Sequence, residues 1–177
     1  TLKKWLKRIV KRGKGTYKTQ YKFSQNQQNG RIYARGFGIQ SVPCLLKCYL
    51  LEGVKCKDID MVNAHFSILK YLCRKHNIKC PLLSKYVKQR KSVLDRLKVT
   101  KMDFILTLYN DKCINNKLFD FYKEFDVIKS KINELEKHNI NFTKTKSKNP
   151  ISALLCRILC YYENEILQEV INKYECY

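Results

Sequence analysis

Apolar residues recur along this chain at two different spacings. Leu2, Trp5, Leu6, Ile9 and Val10 repeat at helical spacing, with Lys3, Lys4, Lys7, Arg8, Lys11 and Arg12 between them. This pattern predicts a short basic amphipathic helix ended by Gly13 and Gly15. Residues 16–30 are polar, with Tyr17, Tyr21 and Phe23 interleaved. Residues 30–38 alternate as a strand or hairpin does, and Pro43 is placed to start a helix reaching Leu51. Lys57–Val62 reads as a strand. Its period of two puts Asp58 and Asp60 on one face and Ile59 and Met61 on the other.

Beyond that strand the spacing becomes helical. Ala64–Lys75 carries Phe66, Leu69, Leu72 and Cys73 as its stripe, and Pro81 breaks the pattern. Leu82–Leu97 predicts a second helix rich in Lys and Arg. Thr100 is placed as the N-cap of a third, with Asp103 at its N3 position and Phe104, Ile105, Leu108 and Tyr109 as its apolar members. Lys117–His138 predicts one long helix, residues 139–149 a polar loop, and Ile151–Tyr174 a long apolar helix with Glu163, Glu165 and Glu169 on its wetter side. The expected fold is α+β and predominantly helical, without internal repeats. At 177 residues the chain suits one domain. It divides into a basic arm over 1–29 and a core over 30–177.

Charge changes this picture most. The chain carries 36 Lys+Arg against 15 Asp+Glu, a net charge of +21. Twelve of the basic residues precede the first acid, Glu52, so that stretch alone holds +12. Such a balance points to a polyanionic partner. A hydrophobic content of 45% excludes intrinsic disorder. No apolar run approaches the ~20 residues that span a bilayer. The basic helix over residues 2–12 suits nucleic-acid phosphates or an anionic membrane surface, with nucleic acid the expected partner rather than membrane, or it is a surface helix docked by Trp5 and Leu6. The start of the chain has no hydrophobic segment of a secretory signal and no Met, which suggests a trimmed chain in an intracellular setting: host cytoplasm or nucleus, or a virion. A Lys, Asn and Ile bias fits an AT-rich genome such as that of a virus, mobile element or parasite.

The nine cysteines form no C-x-x-C pair. Cys44/Cys48 and Cys156/Cys160 are spaced i,i+4, but no His sits at finger spacing beside them. Reduced thiols packed as small hydrophobes are the expectation.

The concentrated chemistry lies in Asp58-Ile-Asp60-Met-Val-Asn63-Ala-His65. Paired carboxylates on one strand face repel unless a cation lies between them, and a divalent metal is the usual solution. The helix that follows offers its N-terminus to anions. Asn63 and His65 at its start are placed for sugar or phosphate contacts. In the basic third, Lys3, Lys4, Lys7, Arg8, Lys11, Arg12, Arg31 and Arg35 are candidate nucleic-acid contacts. Aromatics between the arginines could stack on bases.

The segment Asp58–His65, with Gly30–Pro43 before it and Asn77–Val87 after it, resembles the transposon–virus polymerases. These are relatives of superfamily-A DNA polymerases and of single-subunit phage RNA polymerases. Their motif resembles D-x-D-x-x-N-x-H-P, and Phe66 stands where the family has proline. The resemblance implies that Asp60 or Asp58 is the catalytic metal ligand, with equal claims, for Mg²⁺. Lys101 and Tyr109 are similar in spacing to the family's fingers helix, whose Tyr precedes a Gly where this chain has Asn110. That resemblance implies Lys101 on the incoming triphosphate and Tyr109 beside the sugar or template base. The fingers' upstream Arg is not at its usual offset, where Arg96 and Lys98 are only neighbours. Glu163 resembles a family helix acid. The family's second acidic motif follows the long helix, whereas the last aspartate here is Asp126. The expectation is therefore a polymerase palm with fingers-like helices, its final catalytic element lying beyond Tyr177 or on a second chain. The expected reaction is metal-dependent, template-directed nucleotidyl transfer on DNA or RNA. The alternative is a catalytically inactive DNA-binding or packaging protein built on a degenerate polymerase fold. A two-metal nuclease would lack its third and fourth acids.

Overall fold

The computed structural model describes residues 19–23, 32–35, 38, 42–43, 46–47, 52, 60–138 and 148–174. The chain divides into two compact units. One holds residues 1–25 and 32–60, the other residues 26–31 and 61–177.

In the first unit, β1 (Tyr21–Phe23) pairs antiparallel with β2 (Ile32–Ala34). Tyr21 faces Ala34, Lys22 faces Tyr33 and Phe23 faces Ile32. The Arg35 amide donates to the Gln20 carbonyl at 2.7 Å and extends the ladder. The alternation over 30–38 is thus one strand of a hairpin, and the polar segment before it supplies the other. A side chain at Gly38 would bring its Cβ to 2.6 Å from that of Ala34, so a larger residue there would force the neighbouring strand to shift. Of the helix expected from Pro43, Leu46 and Lys47 are helical, and the Lys47 amide donates to the Pro43 carbonyl at 3.0 Å. The basic helix expected over residues 2–12 lies outside the described residues.

The second unit is helical, so α+β with a predominance of helix holds. Its elements are α1 (Ala64–Lys75), α2 (Pro81–Lys88), α3 (Arg90–Leu97), α4 (Lys101–Tyr109), a 3₁₀ turn (Asn116–Leu118), α5 (Phe119–Glu136) and α6 (Pro150–Tyr174). The single helix expected over Leu82–Leu97 is two. The stripe of Leu83, Tyr86 and Val87 would continue at residue 90, which is Arg. With no apolar side chain to hold the register, the backbone leaves the helical region at Gln89 (φ −132°, ψ 42°). Val93 then buries itself from a separate helix.

Other local expectations are met. Thr100 and Asp103 form a capping box: the Asp103 amide donates to Thr100 Oγ1 at 3.2 Å, and the Thr100 amide donates to Asp103 Oδ2 at 2.7 Å. That amide and the Thr100 hydroxyl hold the Asp103 carboxyl below its ordinary range. Its share of stability is therefore present above pH 3.8 and lost as acid protonates the folded form.

The core of this unit is aromatic at its centre. Phe66 of α1 meets Tyr86, Phe104 and Phe125, and the rings of Tyr86 and Phe104 stack at 4.0 Å. Leu69, Leu72, Leu108, Ile128, Ile132, Leu155 and Ile158 close round them. The helix start at Pro81 is capped from a distance: Glu124 of α5 accepts from the amides of Leu82 at 3.0 Å and Leu83 at 2.7 Å. Two charge-assisted bonds at one helix N-terminus predict that Glu124→Ala lowers stability by about 1–2 kcal/mol, read as a fall in the urea midpoint at constant slope. Among the described residues no helix is long and apolar enough to cross a membrane.

Candidate nucleic-acid and metal site

Helix α1 begins in an unusual way, and the site grows from that start. Asp60 and Met61 have no regular structure and Val62 is in a turn, where the end of a strand was expected; Asn63, in the same turn, precedes the helix. Met61 packs on the helical core. Asp60 is exposed, whereas Asp58 lies outside the described residues. Asn63 occupies the N-cap position in the left-handed region (φ 59°, ψ 38°), which Asn tolerates better than most residues. Its side chain makes no capping bond. Both polar atoms of the amide are buried without a hydrogen-bond partner in the protein. An amide buried in this way costs free energy unless something outside the chain satisfies it.

Two residues on, His65 joins the two motifs singled out in the sequence. Its Nδ1 lies 2.6 Å from the hydroxyl of Tyr109, the last residue of α4, 44 positions away. The rings meet edge-on, 6.0 Å apart. On its other side, Nε2 lies 3.6 Å from Glu163 Oε2 and 3.9 Å from Cys160 Sγ, both on α6. The histidine is thus held between two helices, with α4 on one ring edge and α6 on the other. Lys101 is exposed at the opposite end of α4, about 12 Å from Tyr109 along the helix axis at 1.5 Å per residue. Asn110, in place of the family's Gly, closes α4: its Nδ2 donates to the Leu106 carbonyl at 2.8 Å, and its own carbonyl accepts from the buried Lys129 Nζ at 3.0 Å.

In the hairpin unit, Arg35 is exposed. Tyr33 is 51% exposed directly opposite the exposed Lys22, so an aromatic face and a cation share the solvent side of the sheet. Lys3, Lys4, Lys7, Arg8, Lys11, Arg12 and Arg31 lie outside the described residues.

The sequence reading did not find the meeting of His65 with Cys160 and Glu163. By spacing Cys160 pairs with Cys156, whereas the histidine it meets lies on a helix 95 residues earlier. The i,i+3 spacing of Cys160 and Glu163, which puts both on one face of α6, was the available signal. A second group also went unread. The fully buried Glu136 accepts from Lys75 Nζ and Tyr162 Oη, each at 2.9 Å, and touches His76 Nε2. The remaining thiols fit the reduced, packed reading where they are described. Burial raises the Cys73 thiol well above its ordinary range, which keeps it protonated and inert.

Compared with known proteins, the chain is similar to a protein of the Sputnik virophage described as "Putative helicase V13", with 27% identity over 184 aligned positions. The match covers 89% of this chain but only 24% of that protein, so the chain spans about a quarter of its relative's length. No family model and no solved structure matches. The likeness is to a viral protein, as the Lys/Asn/Ile bias suggested.

Proposed function

We propose that this chain is the polymerase-like, nucleic-acid-binding part of a viral or mobile-element replication protein, built for metal-dependent, template-directed nucleotidyl transfer. The observation that carries this reading is the Tyr109–His65 bond. It joins the helix after the acidic motif to the helix of the fingers-like motif, as a shared nucleotide site requires. A relative whose name includes "helicase" fits a module within a protein that works on nucleic acid. Helicase chemistry itself has no support in these residues, because the 177 contain no G-x-x-x-x-G-K-[ST] phosphate loop.

In this reading Asp58 and Asp60 hold Mg²⁺. The fit rests on donor chemistry: an exposed Asp60 carboxylate is a hard oxygen ligand. When bound, the ion would stabilise developing charge on the phosphoryl oxygens. Lys101 places a cation for the triphosphate. His65 fixes the Tyr109 hydroxyl and hence the ring presented to the sugar or base. The basic residues before Glu52 take the backbone of the template or primer.

Primer extension by the natural full-length protein tests the catalytic part. Asp58→Ala and Asp60→Ala should each lower the rate by at least about a hundredfold, as loss of a main electrostatic stabiliser does. Unchanged rates in both would refute the metal assignment. The inactive, binding-only alternative predicts no extension by the parent but the same affinity for nucleic acid. The paired exposure of Tyr33 and Lys22 favours binding under either reading. Tyr33→Ala should weaken single-stranded DNA binding by about 1–3 kcal/mol, measured by fluorescence anisotropy at fixed salt. A log–log plot of affinity against salt should be steep, and a nearly flat one would count against the polyanion partner.

A further inference from the structure

The geometry points to a zinc site formed by His65 Nε2, Cys160 Sγ and the Glu163 carboxylate, which ties the start of α1 to the middle of α6. The three donor atoms lie within 4.8 Å of one another. For tetrahedral zinc with ordinary bond lengths, donor pairs are separated by about 3.6 Å for N and S and about 3.3 Å for N and O. The observed separations are 3.9 Å and 3.6 Å. Closure on an ion therefore asks for shifts of a few tenths of an ångström from these two pairs. A nitrogen, a thiolate and a carboxylate form a donor set that suits zinc and does not suit Mg²⁺, which takes oxygen.

The surroundings match such a site. Cys160 and Glu163 share a face of α6, so one helix supplies two ligands in a fixed relation. The Tyr109 hydroxyl, 2.6 Å from Nδ1, accepts the Nδ1 proton when Nε2 carries the metal. This contact fixes the tautomer and the ring orientation, the usual arrangement around a metal-bound histidine. All three ligands are partly buried, which limits access of water without closing the site. Among the described residues these three are the ligands within reach, and tetrahedral zinc takes a fourth. On binding, the thiol loses its proton to solvent, and thiolate and carboxylate together neutralise the charge of the ion.

The three proposed ligands include neither Asp58 nor Asp60, so failure of this proposal would leave the primer-extension result as it stands. The 177-residue chain, stripped with a chelator under reducing conditions, is titrated with zinc alone and, separately, with cobalt alone. One zinc per chain and a thiolate-to-cobalt charge-transfer band are expected. Cys160→Ser should abolish the band, and Glu163→Gln and His65→Asn should each weaken zinc binding at least tenfold. Tyr109→Phe, which keeps all three ligands, should weaken it about tenfold, the lower end for a group supporting a ligand. Cys113→Ser, at a thiol that donates to the Asn115 carbonyl, should change nothing. No zinc in the parent chain, or a cobalt band that survives Cys160→Ser, would overturn the site. Circular dichroism of each metal-free variant separates loss of a ligand from loss of the fold, and the parent chain's spectrum decides the matter if a variant does not fold.

Discussion

Phe66→Ala is expected to destabilise the helical unit by about 3–5 kcal/mol, enough to unfold a marginal domain. The ring is only 3% exposed and sits where four elements converge. It meets Tyr86 of α2 at 4.9 Å, Phe125 of α5 at 5.9 Å and Phe104 of α4 at 6.4 Å. Truncation would leave a void walled by three rings that cannot easily collapse, because Tyr86 and Phe104 are already stacked on each other. Phe66→Leu should cost much less, about 1–1.5 kcal/mol, since most of the volume stays. The informative variant is Phe66→Pro, which restores the residue of the resembling family. Residue 66 lies in the first turn of α1, where proline is tolerated by the backbone. Its cost should therefore match that of Phe66→Ala, because both lose the ring. If Phe66→Pro were as stable as the parent by urea denaturation, the aromatic centre would not be what holds α1 to the other helices.

This residue also shows what could be read from the chain. The helices from Ala64 onward were legible because their stripes are long and periodic, and the capping box at Thr100 because its chemistry is local. The break at Gln89 was not, since it depends on where Val87 and Val93 find the core rather than on a strong breaker. Phe66 was legible as a departure from a motif but not as the centre of the core, which needs α2, α4 and α5 in place. In the same way, His65 and Tyr109 were each marked by motif spacing, while their contact is a tertiary fact. Cys160 and Glu163 were each marked in the sequence, by the spacing to Cys156 and by the family's helix acid, but their meeting with His65 is likewise tertiary.

Glu136 predicts the second large effect. Replacing it with Ala should cost about 3 kcal/mol, the low end for breaking a buried pair, because Lys75 keeps 37% exposure and some of its hydration. The carboxylate is fully buried at the end of α5 and is satisfied by Lys75 Nζ, Tyr162 Oη and His76 Nε2. Lys75 also donates to the Tyr162 hydroxyl at 2.9 Å, so α1, α5 and α6 are joined through one acid. Pairing the loss with Lys75→Met and Tyr162→Phe should recover part of it, since two of the three partners named here no longer need an acid, while His76 still does. The network also fixes a pH dependence. Its bonds to Tyr162 and Glu136 raise the ammonium of Lys75 above its ordinary 10.5, and burial raises the Tyr162 phenol above 10.0. In both cases the folded chain holds a proton that the unfolded chain has released. The unfolded state then binds fewer protons, and stability falls as pH rises. The contribution is fully present at neutral pH and declines from about pH 10 upward, beginning at the unfolded values of the two groups. The urea midpoint at pH 11 should therefore lie below that at pH 9, part of the drop belonging to the buried Cys73 thiol, which parent and Glu136→Ala share. In Glu136→Ala the alkaline drop should shrink, because the acid that favours both protonated partners is gone. An equal drop in parent and variant would place the alkaline sensitivity elsewhere in the chain.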